Sequence, residues 1–291
     1  MLPVPALQPI PRYLPPRDAC GRDFLLRVAF GGGAAEGGVA VPSRQLGSEP
    51  LVEVWEAAGA ELLCGSMSLD TANDLDSQSR ALYSRLIADV RRAGYPYFLR
   101  MWNFVGGINE EDGGRERYQL FCAGRHDAFV DAGYHHDVDL PAASAVGMPG
   151  RGLVTYFLAA REAGVQVENP RQVAAYRYPP QYGPKSPSFS RATMWGGMVF
   201  VSGTSSVLGH RTVHEGDVDA QLDETLLNIE TVLAQTGRTL ANVIAAKTYV
   251  RRASDYDRIA AHLASVFPVN LYLEADICRK DLLLEIECVA R

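Results

Sequence analysis

Two carboxylates, Glu285 and Glu287, interrupt an otherwise apolar run near the C-terminus, Leu282-Leu283-Leu284-Glu285-Ile286-Glu287-Cys288-Val289. A run this short, following Arg279-Lys280-Asp281, predicts a strand. Alternation then places Leu283, Glu285 and Glu287 on one face and Leu282, Leu284, Ile286 and Cys288 on the other, the core face. The carboxylates stand about 7 Å apart, one two-residue repeat. Burial moves a carboxyl pKa toward neutrality, and an acid that keeps its proton at pH 7 can deliver it to a substrate. A structural pair bonded to Arg and Tyr neighbours produces the same pattern. The residues alone leave both readings open.

Other residues have chemistry to offer, each beside a plainer reading. Ser202-Gly203-Thr204 ends a predicted strand, and glycine there permits close approach of a ligand, or simply a turn. Tyr178 precedes Pro179 and is held extended, to stack on a ring-shaped ligand or to fill core. Arg279, beside Cys278, suits holding an anion or lowering the thiol pKa, and equally suits a turn cation. Arg100, Trp102 and Phe104 share one strand face, which carries Arg100 toward a domain seam while Trp102 packs. Arg125 lies mid-helix and reads as structural. Gly31–Gly33 lacks the Lys-Ser/Thr and helix start of a phosphate loop, and no Ser-His-Asp arrangement can be built.

Composition narrows the classes. The 291 residues are 47% hydrophobic and 21% charged, which supports a folded core and two domains. A net charge of −6 without a basic run argues against a nucleic-acid groove. No apolar stretch reaches the roughly 20 residues of a membrane span. The proline-rich Met1–Arg17 has no secretory h-region. Five scattered cysteines without CxxC spacing suit reduced, cytoplasmic thiols, and the histidine spacings form no metal set.

Two elements must position these residues, and both halves of the chain read β-β-β-α-β-α-β-β. In the first half, strands are predicted at Phe24–Phe30, Leu51–Ala57, Glu61–Leu69, Tyr97–Phe104, Ala143–Val146 and Leu153–Ala159. Gly31–Gly38 is a loop. One helix starts at Thr71 or Asn73, with Leu75, Leu82, Leu86 and Val90 inward, and another spans Arg115–Ala132. In the second half, strands fall at Val173–Tyr178, Phe189–Trp195, Val199–Thr204, Val243–Val250, Leu271–Ala275 and Leu282–Val289. Helices run over Asp219–Gln235 and onward from Ser254. The expected fold is α+β, two tandem modules each with a mixed sheet and two helices on one face, divided as residues 1–163 and 164–291. Sheets with one open face pack together and leave a cleft at the seam.

The second half resembles the YjgF/RidA superfamily in Ser186-Pro187-Ser188-Phe189-Ser190-Arg191-Ala192, Val199–Thr204, the Gln221–Asn228 helix and Glu285-Ile286-Glu287. It is more specifically similar to the chorismatases. Arg100-Met101-Trp102-Asn103, Ile108–Glu110 through Tyr118, Phe121–Arg125, the Tyr176–Ala192 block and Ala275–Arg279 carry that likeness, over roughly residues 95–291. The resemblance implies a chorismate-mutase-like α+β architecture and a cofactor-free enzyme acting on chorismate. It makes Glu285 the proton donor, Glu287 a supporting residue and Cys278, seven residues earlier, the mark of the 3-hydroxybenzoate-forming subgroup. Arg191, Tyr178, Gly203, Thr204, Arg279 and Arg100 become the substrate-binding set, with Arg191 suited to bidentate carboxylate recognition or, more plainly, to a surface ion pair.

The implied products are 3-hydroxybenzoate and pyruvate, with 4-hydroxybenzoate left open. The alternatives are hydrolysis to a dihydroxycyclohexadiene carboxylate, imine or enamine hydrolysis, and non-catalytic binding of small carboxylates. Asn270 stands where imine-hydrolysing members carry arginine, which argues against that activity. A monomer with an intramolecular seam is preferred over a homotrimer, and no metal, nucleic acid or membrane is expected.

Overall fold

Strands that are apolar on both faces must be covered on both sides, and that requirement orders the layers of this chain. The computed structural model describes residues 51–57, 60–70 and 73–291. The strand expected at Phe24–Phe30, the Gly31–Gly38 loop, Cys20, Gly59 and Thr71 lie outside the described residues.

The first sheet comprises β1 (Leu51–Ala57), β2 (Ala60–Leu69), β3 (Tyr97–Gly106), β6 (Ala142–Met148) and β7 (Leu153–Ala160), in the order β1-β2-β7-β3-β6. A small hairpin, β4 (Glu111–Asp112) and β5 (Arg115–Glu116), leads out of it. The second sheet comprises β8 (Val165–Val167), β9 (Ala192–Trp195), β10 (Met198–Thr204), β13 (Val243–Val250), β14 (Asn270–Glu274) and β15 (Leu284–Ala290). Its order is β14-β13-β15-β10-β9-β8, with the hairpin β11 (Val207–Leu208) and β12 (Arg211–Thr212) beside it. Both sheets are mixed, because β3 runs parallel to β6 and β13 parallel to β14.

Four α-helices are described, α1 (Leu75–Arg92), α2 (Arg117–Asp131), α3 (Val218–Ala234) and α4 (Tyr256–Leu263). Leu75, Leu82, Leu86 and Val90 bury one stripe of α1, while Leu222, Leu226, Ile229 and Leu233 do so on α3. The helix starts are set by local donors and acceptors. Asp74, rather than the expected Asn73, accepts from the Ser77 amide at 3.4 Å, and Asp217 accepts from the Ala220 amide at 3.2 Å. Ser254 lies in a 3-10 turn that leads into α4. Among the described residues no helix is long and apolar enough to cross a membrane.

Three apolar clusters fill the spaces between layers. Leu63, Leu82 and Phe157 belong to the one between the first sheet and α1–α2. Val201, Leu222 and Ile286 belong to the one between the second sheet and α3–α4. The third, with Trp102, Phe104, Tyr156, Phe200 and Val289, joins sheet to sheet. The sequence of layers is therefore helix, sheet, sheet, helix, an α+β fold with helices on one face of each sheet.

Two expectations need correction. Val173–Tyr178 is no strand; it contains the 3-10 turn Ala175–Arg177, and the prolines that follow suit turn rather than ladder geometry. The short β8 supplies the edge strand instead, paired with β9. Alternation also holds only from residue 284, where β15 begins. Leu282 joins the inter-sheet cluster and Leu283 the helix-side cluster, the reverse of the expected faces.

Candidate active site

Glu285 and Glu287 project from β15 toward the first sheet, and three neighbouring strands decide what each one meets. Strand β13 pairs antiparallel with β15, placing Lys247 opposite Glu287 and Tyr249 opposite Glu285. On the other side, the β10–β15 register shifts between Val201 and Thr204, a local irregularity of the kind that re-aims groups beside functional sites. It turns the Gly203 amide toward the facing sheet, where it donates to Ser144 Oγ at 3.0 Å. Across the seam, the Ala143 amide donates to Ser202 Oγ at 2.8 Å, and the Ala142 amide donates to Thr193 Oγ1 at 2.8 Å. The two sheets are thus tied by hydrogen bonds at the height of the glutamates.

Glu287 is fully buried inside a cage of donors. Lys247 Nζ lies 2.9 Å from Oε1 and Arg100 Nη2 lies 2.6 Å from Oε2. Trp102 Nε1 donates to Oε1 at 2.9 Å, Tyr249 OH reaches Oε1 at 3.4 Å, and Ser144 Oγ donates to Oε2. Burial alone would raise this carboxyl's pKa, but the Lys247 and Arg100 charges and the bonds from Ser144 and Lys247 outweigh it and hold the pKa below its usual value.

Glu285 shares the strand but not the cage. It is 4% exposed, and its Oε1 receives no hydrogen bond from the protein. Burial first, then the adjacent Glu287 charge, push its pKa up to about 8, with Arg100 pulling weakly the other way. At neutral pH it is a protonated acid. Its carboxyl packs on Gly203, where any Cβ would overlap Glu285 Oε1.

Glu285 faces a cleft of about 420 Å³. Arg191, Arg279, Cys278, Tyr178, Gly203 and Phe189 are on its walls. Arg191 is buried; its Nη2 donates to Val173 O and Tyr178 OH, both at 2.9 Å, and its guanidinium stands 5.3 Å from the Phe189 ring centre. Arg279 donates to His210 O at 3.0 Å and lies 4.3 Å from the Tyr182 ring centre. Their guanidinium hydrogen bonds go to carbonyl and hydroxyl oxygens, although the Glu168 carboxyl, raised to about 7 mainly by burial, also feels the Arg191 charge. Two cations beside one neutral acid are an arrangement suited to binding a small anion and protonating it.

Cys278 is half-buried beside Glu285, and burial followed by the Glu285 charge pushes its thiol pKa up to about 12. Arg279 acts in the opposite direction but does not prevail, so the thiol is neutral rather than activated. Its loop is anchored to the first sheet, since Ile277 bridges Val146 and the Gly147 amide donates to Asp276 O at 2.7 Å.

The structure therefore brings Glu285, Cys278, Arg191, Arg279, Tyr178 and Gly203 together. Two other expected residues stand elsewhere. Arg100 is behind the cleft wall, committed to Glu287, Ser144 Oγ and Met101 O. Thr204 turns its hydroxyl back to Ser202 O at 2.8 Å, while the adjacent Ser205 lines the cleft. Asn270 pairs with Thr248 Oγ1 at the sheet edge. Sequence reasoning missed Lys247 and Ser144. A lysine inside Val243–Val250 was a legible signal of a buried charge, whereas Ser144 in an Ala-rich strand gives none. Among the described residues no three His, Cys, Asp or Glu side chains are placed to hold a metal ion.

Comparison with known proteins bears on this geometry. A family described as Chorismatase FkbO/Hyg5-like, N-terminal, matches residues 43–159, and the family Endoribonuclease L-PSP matches residues 184–291. The first match carries the likeness further toward the N-terminus than the motifs counted from about residue 95. A 3-hydroxybenzoate synthase of Streptomyces hygroscopicus is 42% identical over 72% of this chain and 68% of its own length. A chorismatase of the same organism is 43% identical over 71% of this chain and 65% of its own length. A crystal structure of a chorismatase superposes with a TM-score of 0.79 at 34% identity, covering 87% of this chain and 80% of that one.

Proposed function

The chain belongs to the chorismatase family, and on that premise we propose that it converts chorismate to 3-hydroxybenzoate and pyruvate. The observation that carries the reading is Glu285, a buried carboxyl with its pKa at about 8 and an unbonded oxygen, in a cleft with two arginines. Chorismate has two carboxylates and an enolpyruvyl ether. Arg191 and Arg279 anchor the dianion through charge-assisted bonds. Glu285 protonates the terminal methylene of the ether, which becomes an oxocarbenium ion, and the ionised carboxylate left behind stabilises that cation. In the reaction assigned here the substrate's own ring hydroxyl, rather than water, takes part. Its oxygen bonds to the ring carbon that pyruvate leaves, the ether C–O electron pair becoming the pyruvate carbonyl and the O–H proton returning to the Glu285 carboxylate. Its original C–O bond then breaks, and the proton lost from the newly bonded carbon as the ring aromatises ends on the new phenol oxygen. No water is consumed in that sum, whereas the hydrolytic route to the dihydroxycyclohexadiene acid adds one.

Both sheets of one chain contribute to the charge network around the glutamates, which supports an intramolecular site rather than one shared between copies. Free thiols at Cys64, Cys122, Cys278 and Cys288 support a reducing, cytoplasmic setting.

The test is incubation of purified protein with chorismate, with chromatography of the aromatic products and a coupled assay for pyruvate. Equal yields of 3-hydroxybenzoate and pyruvate are expected. The dihydroxy acid as sole product would replace the aromatic assignment with hydrolysis, and unchanged chorismate would overturn the enzyme reading.

A further inference from the structure

The glutamate pair sits near two cations, Arg100 and Lys247, so counting charges alone would leave both carboxylates ionised. Hydrogen-bond geometry breaks the tie. Lys247 is the cross-strand partner of Glu287 and spans 2.9 Å to Oε1; Arg100 comes from the opposite sheet and spans 2.6 Å to Oε2. Trp102 and Ser144 complete the cage from the same opposite sheet. All these donors point at Glu287, and Glu285 Oε1 gets none. We propose that Glu287 is a positioning residue whose caged carboxylate carries the pair's single negative charge and so keeps the proton on Glu285. The inference rests on Glu285 acting as the acid of the reaction above.

Other groups facing Glu285 do not reverse the balance. Tyr249 stands opposite on β13, and Arg100 approaches from β3. Cys278 and Arg279 approach from the loop before β15, Arg191 from the segment before β9, and Tyr118, Cys122 and Arg125 from α2. Cys278 and Cys122 are neutral thiols, each pushed up to about 12 by burial. Tyr118 is raised well above its usual value, also by burial. Arg279 bonds to the β12 hairpin and Arg191 to Val173 and Tyr178. Glu287 is the anion two residues along the same strand face.

A merely supporting residue would, when altered, lower activity or stability at every pH. Charge allocation makes signed predictions. Glu287→Gln removes the neighbouring anion and leaves both cations, so Glu285 loses its proton more readily. Lys247→Met removes a cation, so the pair as a whole holds protons more tightly, although the proton is then shared with Glu287 and the plateau rate falls. The experiment measures pyruvate release from chorismate against pH for wild type, Glu287→Gln, Glu287→Asp and Lys247→Met. In parallel, carbon-13-edited infrared spectra of the substrate-free proteins follow the protonated carboxyl, identified by its loss in Glu285→Gln.

The alkaline limb of kcat, and the infrared titration with it, should move down by about one pH unit or more in Glu287→Gln. It should stay near wild type in Glu287→Asp and stay or rise in Lys247→Met. Should Lys247→Met fail to fold, the Gln and Asp variants still decide the matter. An unmoved limb in Glu287→Gln, or the same downward shift in Glu287→Asp, overturns the inference. If the infrared titrations move as stated but no pyruvate forms even in wild type, the allocation of charge stands and the reaction reading fails. If pyruvate forms but both titrations coincide with wild type, the allocation alone fails.

Discussion

The surroundings of Glu287 and Glu285 differ far more than two residues of one strand would suggest. Around Glu287 the protein is closed and over-supplied with donors from both sheets: Arg100, Trp102 and Ser144 from one, Lys247 and Tyr249 from the other. Around Glu285 it is open on one side to a cleft and offers Oε1 no donor. Burial is almost the same, 0% against 4% exposed. Desolvation therefore acts on both, and the distribution of hydrogen bonds and charge decides which one ionises. The cage invests in structure and the cleft in reactivity, so perturbing them should separate stability from rate.

The largest effect is expected from Glu285→Gln. The amide keeps the shape but has no acidic proton to give, so kcat for pyruvate release should fall by about 10²–10⁴-fold. Stability should move the other way. The folded Glu285 pKa of about 8 exceeds the ordinary 4.5, so between those pH values the unfolded chain releases a proton that the folded chain keeps. Folding is therefore progressively disfavoured as pH rises through that window. Glutamine does not titrate, and Glu285→Gln should be more stable than wild type at pH 8 by on the order of a few kcal/mol, with little difference at pH 4. Denaturant melts at the two pH values check this; equal stability at both would place Glu285 in contact with solvent.

Arg100→Met probes the cage. Removing one partner of a buried ion pair costs about 3–5 kcal/mol, because the other charge is left short of compensation. A large drop in the denaturation midpoint is expected, with the Michaelis constant of surviving folded protein near wild type. A raised Michaelis constant without loss of stability would return Arg100 to the substrate-binding set. Arg191→Ala is the matching probe of the cleft. It removes charge-assisted bonds worth about 1.5–3 kcal/mol, so the Michaelis constant should rise roughly 10–100-fold with a smaller change in kcat. An unchanged constant would detach Arg191 from the substrate.

Much of this contrast was legible in the sequence, and the unread part has physical reasons. Strand β15 and its glutamate face follow from period two, and β13 is bounded at Val243–Val250 in both reading and structure. The faces of Leu282 and Leu283 were misassigned because they precede the strand, where alternation has no hold. Val173–Tyr178 has the aromatic and β-branched content of a strand, yet it turns ahead of Pro179 and Pro180. Strand β8 is three residues long, too short to show a period. The cage was unreadable for a different reason. Ser144 and Glu287 are 143 positions apart and meet only because two sheets stack, and no local pattern encodes that contact. Arg100 was visible as an arginine aimed at the seam, but not the carboxylate that would claim it.

The smallest expected change in rate, and the finest test of the cleft, comes from Cys278→Ala. The side chain lies on the cleft wall beside Glu285, on a loop fixed to the first sheet through Ile277 and Asp276. With its pKa pushed up to about 12 by burial and the Glu285 charge, the thiol is not a nucleophile at neutral pH. What it offers the cleft is volume and a weak S–H donor beside Glu285, and on the reading proposed above that volume keeps out the hydrolytic water. Replacing it with alanine frees that volume while leaving Glu285, Arg191 and Arg279 in position. Total pyruvate release should change by only a few-fold, while the product mixture shifts from 3-hydroxybenzoate toward the dihydroxycyclohexadiene acid. Chromatography with pyruvate as the internal reference measures the partition directly. A variant that releases pyruvate at the wild-type rate and still yields only the aromatic acid would show that exclusion of water is set elsewhere on the wall, with Phe189 and Tyr118, which share the recess beside Glu285, as the next residues to vary.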